Sequence, residues 1–277
     1  MIEIIKETLI DSLKLLPFLF VAFLIIEFLE HKLVNKNKKM ITKTKKFGPI
    51  IGSILGLFPQ CGFSVLATNL YVTRIVTLGT LVSIYLATSD EMLLILISEH
   101  VDISLIIKIL FIKMLIGMIC GIFIDLVYKK TKKQDYNICE EEKCHCEKGI
   151  FYSAIKHTLN ILLFIIIISF AINIIFTYFG EEYLSRLLLK DSLFSPFLTS
   201  LIGLIPNCCS SVILTELYLN GAISFASMMS GLLTGSGVAI LVLFKANKNL
   251  KENMIILGIV YFAGVLSGIL MQIIGLM

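Results

Sequence analysis

Two stretches of the chain carry proline and cysteine in the same order and at a spacing that suits ion binding. Residues 56–61 read Gly-Leu-Phe-Pro-Gln-Cys, and residues 203–208 read Gly-Leu-Ile-Pro-Asn-Cys, followed by a second cysteine. A proline inside a helix removes a backbone hydrogen bond and clashes with the preceding turn, so each stretch is predicted to break a helix. Thiolates at Cys61, Cys208 and Cys209 would favour soft ions such as Zn(II), Cu(I) or trivalent arsenic. The alternative is that these cysteines are small buried apolar residues.

A polar stripe follows each predicted break. Cysteine, serine, threonine and tyrosine recur at i, i+3, i+7 and i+10, which places them on one helical face. This face should line the interior, although serine and threonine can also serve helix packing alone. The predicted substrate-binding residues are Pro59, Gln60, Cys61, Ser64, Thr68, Ser89, Pro206, Asn207, Cys208, Cys209, Ser211, Thr215 and Ser236.

Carboxylates inside apolar segments are the next candidates. Asp90, Glu91 and Glu216 lie within such segments, where an ionisable group is costly and functional by default. Asp90 and Glu216 are the preferred coupling residues, for protons or for a hard cation. Lys113 and Asp125 are expected to extend their charged ends towards the membrane surface.

A polar stretch at residues 129–150 contains four potential soft ligands. Cys139, Cys144, His145 and Cys146 lie among several glutamates, a composition typical of metal binding. Their spacing does not match a structural zinc site. The alternative is a solvated linker whose cysteines have no metal role.

The composition explains which elements must position these residues. Of the 277 residues, 57% are hydrophobic and 16% are charged, and the apolar residues form runs of about 20, the length that crosses a bilayer. The chain is therefore predicted to be an all-α polytopic protein of the lipid bilayer, and no cleavable signal peptide is expected. The net charge of +4 comes from lysines beside apolar runs, which favours membrane topology and no nucleic-acid partner.

The two proline motifs belong to an internal repeat. A shift of 147 residues aligns residues 51–91 with the stretch that begins at Leu198, without a gap. We therefore divide the chain into a first transmembrane repeat at 1–128, a cytoplasmic linker at 129–150 and a second repeat at 151–277.

Loop charges predict how the repeats are oriented. The lysine-rich stretches 31–46, 129–133 and 245–251 should be cytoplasmic, whereas 99–102 and 180–192 should lie outside. The number of apolar segments between these loops does not agree with the even or odd number of membrane crossings that the loop positions require, unless one segment of each half is re-entrant or split. The sequence therefore predicts inverted repeats, each with about three spanning helices and a broken or re-entrant hairpin, about ten helices in all.

The sequence resembles a family of ten-helix heavy-metal exporters, whose members are named variously as arsenic efflux proteins or manganese transporters. The resemblance covers nearly the whole chain. It rests on the motif at 203–208, on Leu-Thr-Glu-Leu-Tyr at 214–218, on Gly-Leu-Leu-Thr-Gly at 231–235, and on the linker followed by Lys-His-Thr at 156–158. It implies ten helices and export of a metal or metalloid. Cys209 stands where a small glycine-type residue often follows the motif, which leaves the number of thiolate ligands open.

These features favour a secondary transporter in a bacterial cytoplasmic membrane. Its cargo would be Mn(II), arsenite or a similar ion, exchanged for protons, and it would be neither an enzyme nor dependent on a cofactor. An organic-anion carrier is one alternative, with the backbone amides of the broken helices binding a carboxylate. A membrane thiol oxidoreductase or metal sensor is another, less supported because no Cys-x-x-Cys occurs. The sequence does not decide whether the chain forms a homo-oligomer.

Overall fold

The computed structural model describes most of the two predicted repeats. The described residues are 47–58, 61–89, 91–128 and 194–275, with scattered positions in 16–24 and 155–174. Every regular element among them is an α-helix. The all-helical class predicted from the sequence is therefore confirmed.

The helices fall into two series of the same pattern. The first series is α1 (Gly48–Gly56), α2 (Cys61–Val72), α3 (Leu78–Ala87), α4 (Met92–Ser98) and α5 (Ile103–Val127). The second series is α6 (Ser195–Gly203), α7 (Cys209–Leu219), α8 (Phe225–Thr234), α9 (Ala239–Ala246) and α10 (Leu250–Ile274). A shift of 147 residues superposes both ends of α1, α3 and α5 on those of α6, α8 and α10, and the other two pairs agree within one residue. The duplication thus extends well beyond the stretch that the sequence alone aligns.

The same local signals start the corresponding helices in both series. Thr77 and Ser224 precede α3 and α8, and each side-chain oxygen accepts a hydrogen bond from the backbone N–H three residues later. This is the preferred capping arrangement at a helix N-terminus. Pro49 and Pro196 lie in the first turn of α1 and α6, where proline costs no helical hydrogen bond.

Among the described residues, four stretches are long and apolar enough to cross a membrane. They are Leu78–Ser98, Ile103–Val127, Phe225–Ala246 and Leu250–Ile274. The first and third are interrupted, because each contains two successive helices, and they are mostly buried inside the protein. The second and fourth are α5 and α10, whose surfaces are mostly exposed and apolar. The interrupted spans therefore form the centre, and the continuous spans form much of the surface that would face lipid.

The remaining helices of each series are too short to cross. At 1.5 Å per residue, the longest of α1, α2, α6 and α7 has 12 residues and extends only about 18 Å, against a hydrocarbon core of about 30 Å. Within each half the first, third and fifth helices pack together. The second helix packs on the third helix of its own half and also on the other half, α2 on α9 and α7 on α4.

Glycines allow the interrupted helices to pack closely on their neighbours. A Cβ atom on Gly121 of α5 would lie 2.6 Å from the carbonyl oxygen of Gly79 in α3 and 2.9 Å from Cβ of Pro49. In the other half, a Cβ atom on Gly203 would lie 2.1 Å from the carbonyl oxygen of Gly231. Close backbone approach at small residues is the usual way in which helices associate within a membrane.

Polar contacts bring the end of α5 and the beginning of α10 to the same end of the molecule. Asp125, near the end of α5, accepts hydrogen bonds from the hydroxyl of Thr77 at 2.7 Å and from the backbone N–H of Gly79 at 2.9 Å. Arg74, just before α3, donates to both carboxylate oxygens of Glu252 in α10, at 2.6 and 2.9 Å. From the last turn of α5, the partly buried carboxylate of Asp125 thus caps α3.

A second set of contacts defines the opposite end. The ammonium of Lys108, near the start of α5, lies 5.6 Å from the ring centroid of Phe225 at the start of α8. Ser230 of α8 donates to the carbonyl oxygen of Pro196 at 2.9 Å, and a Cβ atom on Gly268 of α10 would lie 3.1 Å from Cβ of Pro196. The first residues of α5, α6 and α8 and the last turns of α10 are therefore neighbours.

Candidate functional site

Both central spans are interrupted near their middles. The first break follows α3 at Thr88 and Ser89, and the second follows α8 at residues 235–238. Gly237 has a φ of +55°, a left-handed conformation that glycine adopts without strain. Neither break contains proline, so the sequence does not predict them. The Gly-Ser-Gly run around Ser236 was the available signal for the second.

Lys113 of α5 lies where the two breaks meet. Its side chain is 1% exposed, and its ammonium donates hydrogen bonds to the carbonyl oxygen of Thr88 and, at 2.8 Å, to that of Leu232 in α8. The residue lies near the middle of a 25-residue helix, too far from either end for the ammonium to reach a headgroup. The expectation that Lys113 extends to the membrane surface is therefore wrong. The lysine instead links the interrupted helices of both halves.

A hydroxyl network joins α2 and α3 to the other half. Thr68 donates to the carbonyl oxygen of Ser64 at 2.7 Å and lies 2.6 Å from the hydroxyl of Tyr85. The Tyr85 hydroxyl also lies 3.4 Å from the carbonyl oxygen of Ala239, the first residue of α9. Ser64 and Thr68 are fully buried, which agrees with the predicted inward-facing stripe. The hydroxyl of Thr68 is hydrogen-bonded within the protein.

The helix break predicted at Pro206 is confirmed. Helix α6 ends before it and α7 begins after it, with Asn207 and Cys208 buried between them. Ser210 donates to the carbonyl oxygen of Asn207 at 2.8 Å, and Ser211 donates to that of Cys208 at 2.8 Å. Two carbonyl groups of this break are thus satisfied by the hydroxyls that follow it.

Further along α7 lie two more of the predicted residues. Thr215 is fully buried and donates to the carbonyl oxygen of Ser211 at 2.7 Å. Glu216 follows it and is partly buried. The polar stripe of the second half is therefore turned largely inward, and its threonine, like Thr68, is hydrogen-bonded within its own helix.

Two equivalent serines occupy the central breaks but differ in their hydrogen bonds. Ser89 donates to the carbonyl oxygen of Ala87 at 3.2 Å. The hydroxyl of Ser236 is completely buried and has no hydrogen-bond partner among the residues that the structure describes, and the same is true of the buried side-chain nitrogen of Asn69 in α2. Leaving a buried polar group unsatisfied costs about 1–3 kcal/mol. Such a group suits a place where a polar ligand or water binds during function.

The two thiols of the second half differ in burial. Cys208 is 8% exposed and belongs to the core cluster that contains Leu86, Leu233 and Val238, which flank the two breaks. Cys209 is partly buried. No three histidine, cysteine or acidic side chains among the described residues are arranged to hold a metal ion. The side chain of Cys61 is not among those described, so a site of three thiolates stays a prediction.

The other predicted site residues lie outside the described part of the chain. They are Pro59, Gln60, Asp90, Cys139, Cys144, His145 and Cys146. The ends of α1 and α2 on either side of residues 59–60 are described, and they agree with a break there.

The described part of the chain contains four membrane-length helical stretches, two of them interrupted at the centre, which define a multi-pass α-helical membrane protein. Comparison with known families makes the assignment more specific. The chain belongs to the ArsP_2 family, described as "Putative, 10TM heavy-metal exporter", whose model matches residues 1–182 and 170–276. This confirms the resemblance seen in the sequence. No curated protein and no solved structure matches the chain.

Proposed function

We propose that this protein is a secondary transporter that exports a heavy-metal or metalloid ion. The observation that carries the proposal is the meeting of two interrupted membrane spans at a buried point, where Lys113 contacts both. Irregular backbone at membrane depth is tolerated where it is enclosed by protein or lines a cavity. In secondary transporters such breaks lie near the midplane and bind the cargo and its coupling ions.

The transporter would be built from inverted repeats. Two sets of contacts support this. The ion pair of Arg74 with Glu252 places the start of α10 at the end of the molecule where α5 ends. The contacts of Phe225 with Lys108 and of Pro196 with Gly268 place the end of α10 at the opposite end, where α5 begins. The equivalent helices α5 and α10 would then cross the membrane in opposite directions. Two such halves can exchange their conformations and thereby open the central site to either side.

The cargo site would include the two central breaks and the proline motifs beside them. This assignment is supported by the hydroxyl of Ser236, which has no partner among the described residues, and by the place of Cys208 in the core cluster that contains Leu233 and Val238. Cys61, Cys208 and Cys209 would supply thiolates if the cargo is soft, such as arsenite or Zn(II), whereas Asp90 and Glu216 would suit Mn(II) or carry coupling protons.

The end of the molecule that carries Asp125 and Glu252 would be cytoplasmic. The lysine-rich stretch 129–133 follows α5, and the lysine-rich stretch 245–251 runs from the end of α9 into the start of α10. The positive-inside rule therefore assigns both stretches to one side of the membrane. The linker at 129–150 would then lie at the cytoplasmic entrance, in a bacterial inner membrane, where its cysteines and histidine would capture metal ions.

Flux measurements in proteoliposomes test this function. The purified protein is reconstituted, and movement of Mn(II), Zn(II), Cd(II) and arsenite is followed with and without a pH gradient. We expect movement of at least one of them, faster when protons can flow in exchange. Movement of none, with an organic anion transported instead, would contradict the metal assignment and favour a carrier of another class.

A further inference from the structure

Lys113 satisfies two backbone carbonyl groups that the helix breaks leave open. In a continuous helix the carbonyl of Leu232 would accept a hydrogen bond from the N–H of Ser236, and that of Thr88 from the N–H of Met92. Helix α8 ends at Thr234 and α3 ends before Thr88, so these helical bonds are interrupted. The ammonium of Lys113 donates to both carbonyl oxygens instead.

Open carbonyl groups at broken helices are the positions at which transporters bind cations. They lie at helix C-termini, where the helix dipole favours positive charge. A lysine ammonium there has the charge and the hydrogen-bonding capacity of a small bound cation, but a covalent tether keeps it in place. Lys113 therefore occupies a position that suits a transported ion or its coupling ion.

The internal repeat does not account for a lysine at this position, because the equivalent residue of the second half is not a lysine. A shift of 147 residues places Val260 of α10 at the position equivalent to Lys113, and Val260 is likewise buried. A single lysine thus serves the breaks of both halves. An ionisable group this deep in a membrane is costly, and an apolar residue such as valine avoids that cost.

We propose that Lys113 is a tethered competitor of the exported ion. When the site is empty, its ammonium holds the carbonyl oxygens of Thr88 and Leu232. The incoming ion displaces the ammonium from these oxygens, and the ammonium displaces the ion again as the site opens to the other side. Lys113 is thus a positioning residue that sets affinity and release, an inference that rests on the proposed ion export.

The test compares three substitutions in the reconstituted full-length protein. Lys113→Met removes the charge and the donors, Lys113→Gln keeps a donor without charge, and Lys113→Arg keeps both. For the neutral variants we expect the KM for Mn(II) or Cd(II) to fall about tenfold and the maximal rate to fall as well, because a bound ion is no longer displaced. Arginine should return both values towards those of the wild type. Gly258→Ala serves as a control for substitution in a spanning helix.

The other outcomes would refute either the role of Lys113 or the proposed function itself. If the wild-type protein transports the ion but the KM of the neutral variants is unchanged or higher, the role of Lys113 is refuted and the proposed function is not. Failure of both neutral variants to give a monodisperse protein, while the arginine variant does, also refutes it, because the lysine would then be needed for folding. Absence of flux for every ion in the wild type refutes the proposed function itself.

Discussion

Buried hydroxyl groups in this protein are of two kinds, and the difference bears on function. Ser210 and Thr215 bond carbonyl groups of their own helix or of the break before it. Ser236 is equally buried but has no hydrogen-bond partner in the described part of the chain. Hydroxyl groups of the first kind stabilise the fold, whereas the hydroxyl of Ser236 at the proposed site lowers the free energy of unfolding. Stability is often lost in this way at positions that bind a ligand.

Replacing Ser236 should separate stability from activity. We expect Ser236→Ala to raise the free energy of unfolding by about 1 kcal/mol, because an unsatisfied buried group is removed, and to lower metal flux about tenfold. Ser210→Ala, the control, should lower the free energy by about 1 kcal/mol. Unfolding in mixed detergent micelles and flux in proteoliposomes measure the two effects. Equal destabilisation by both substitutions would contradict the assignment.

Asp125 offers a second test with a matched residue. We expect Asp125→Ala to destabilise the protein by about 1–2 kcal/mol, because α3 loses the carboxylate that accepts from Thr77 and Gly79. Asp102 precedes α5, is exposed and makes no capping bond. Asp102→Ala should therefore change stability by less than about 0.5 kcal/mol. Unfolding in mixed micelles measures both, and similar effects would show that Asp125 does not cap α3.

At the scale of elements, the sequence predicts a break where the chemistry of one residue requires it. Pro206 cannot continue a helix, and α6 does end before it. The break around Ser236 depends instead on two glycines, each of which weakens a helix by only about 1 kcal/mol, and on packing that the sequence does not reveal. Lys113 illustrates the same limit. Its place on α5 is evident from the apolar run, but the carbonyl groups that surround it come from two distant helices.

The close packing of α3 against α5 predicts that two glycine-to-alanine substitutions in the long helices have different effects on stability. Gly121→Ala should cost about 1–3 kcal/mol, because its Cβ atom would lie 2.6 Å from the carbonyl oxygen of Gly79 and backbone must move. A Cβ atom on Gly258 of α10 would meet nothing within 4 Å. Gly258→Ala should leave stability unchanged or raise it by up to about 1 kcal/mol. Thermal aggregation in detergent ranks the two variants, and the reverse ranking would contradict the packing described.

At the scale of the whole molecule, the repeat was visible in the sequence only where polar and special residues recur. Proline, cysteine, serine and tyrosine align between residues 51–91 and the second half, whereas apolar positions beyond them align no better than in any two membrane helices. The structure extends the duplication to residue 127 because helix bounds persist when residue identities do not. The pairing of Lys113 with Val260 shows how far the two halves have diverged at their centre.

The central claim is that interruption of the spans creates the ion site. Restoring a continuous helix at one of the two breaks tests this claim most directly. Gly235→Ala, Ser236→Ala and Gly237→Ala together favour a continuous helix from α8 into α9, since alanine is the best helix former. The measurement is flux of Mn(II) and Cd(II) in proteoliposomes, with size-exclusion chromatography to check folding and Gly258→Ala as the control. We predict a well-folded protein that has lost flux. Flux equal to that of the wild type would contradict the claim.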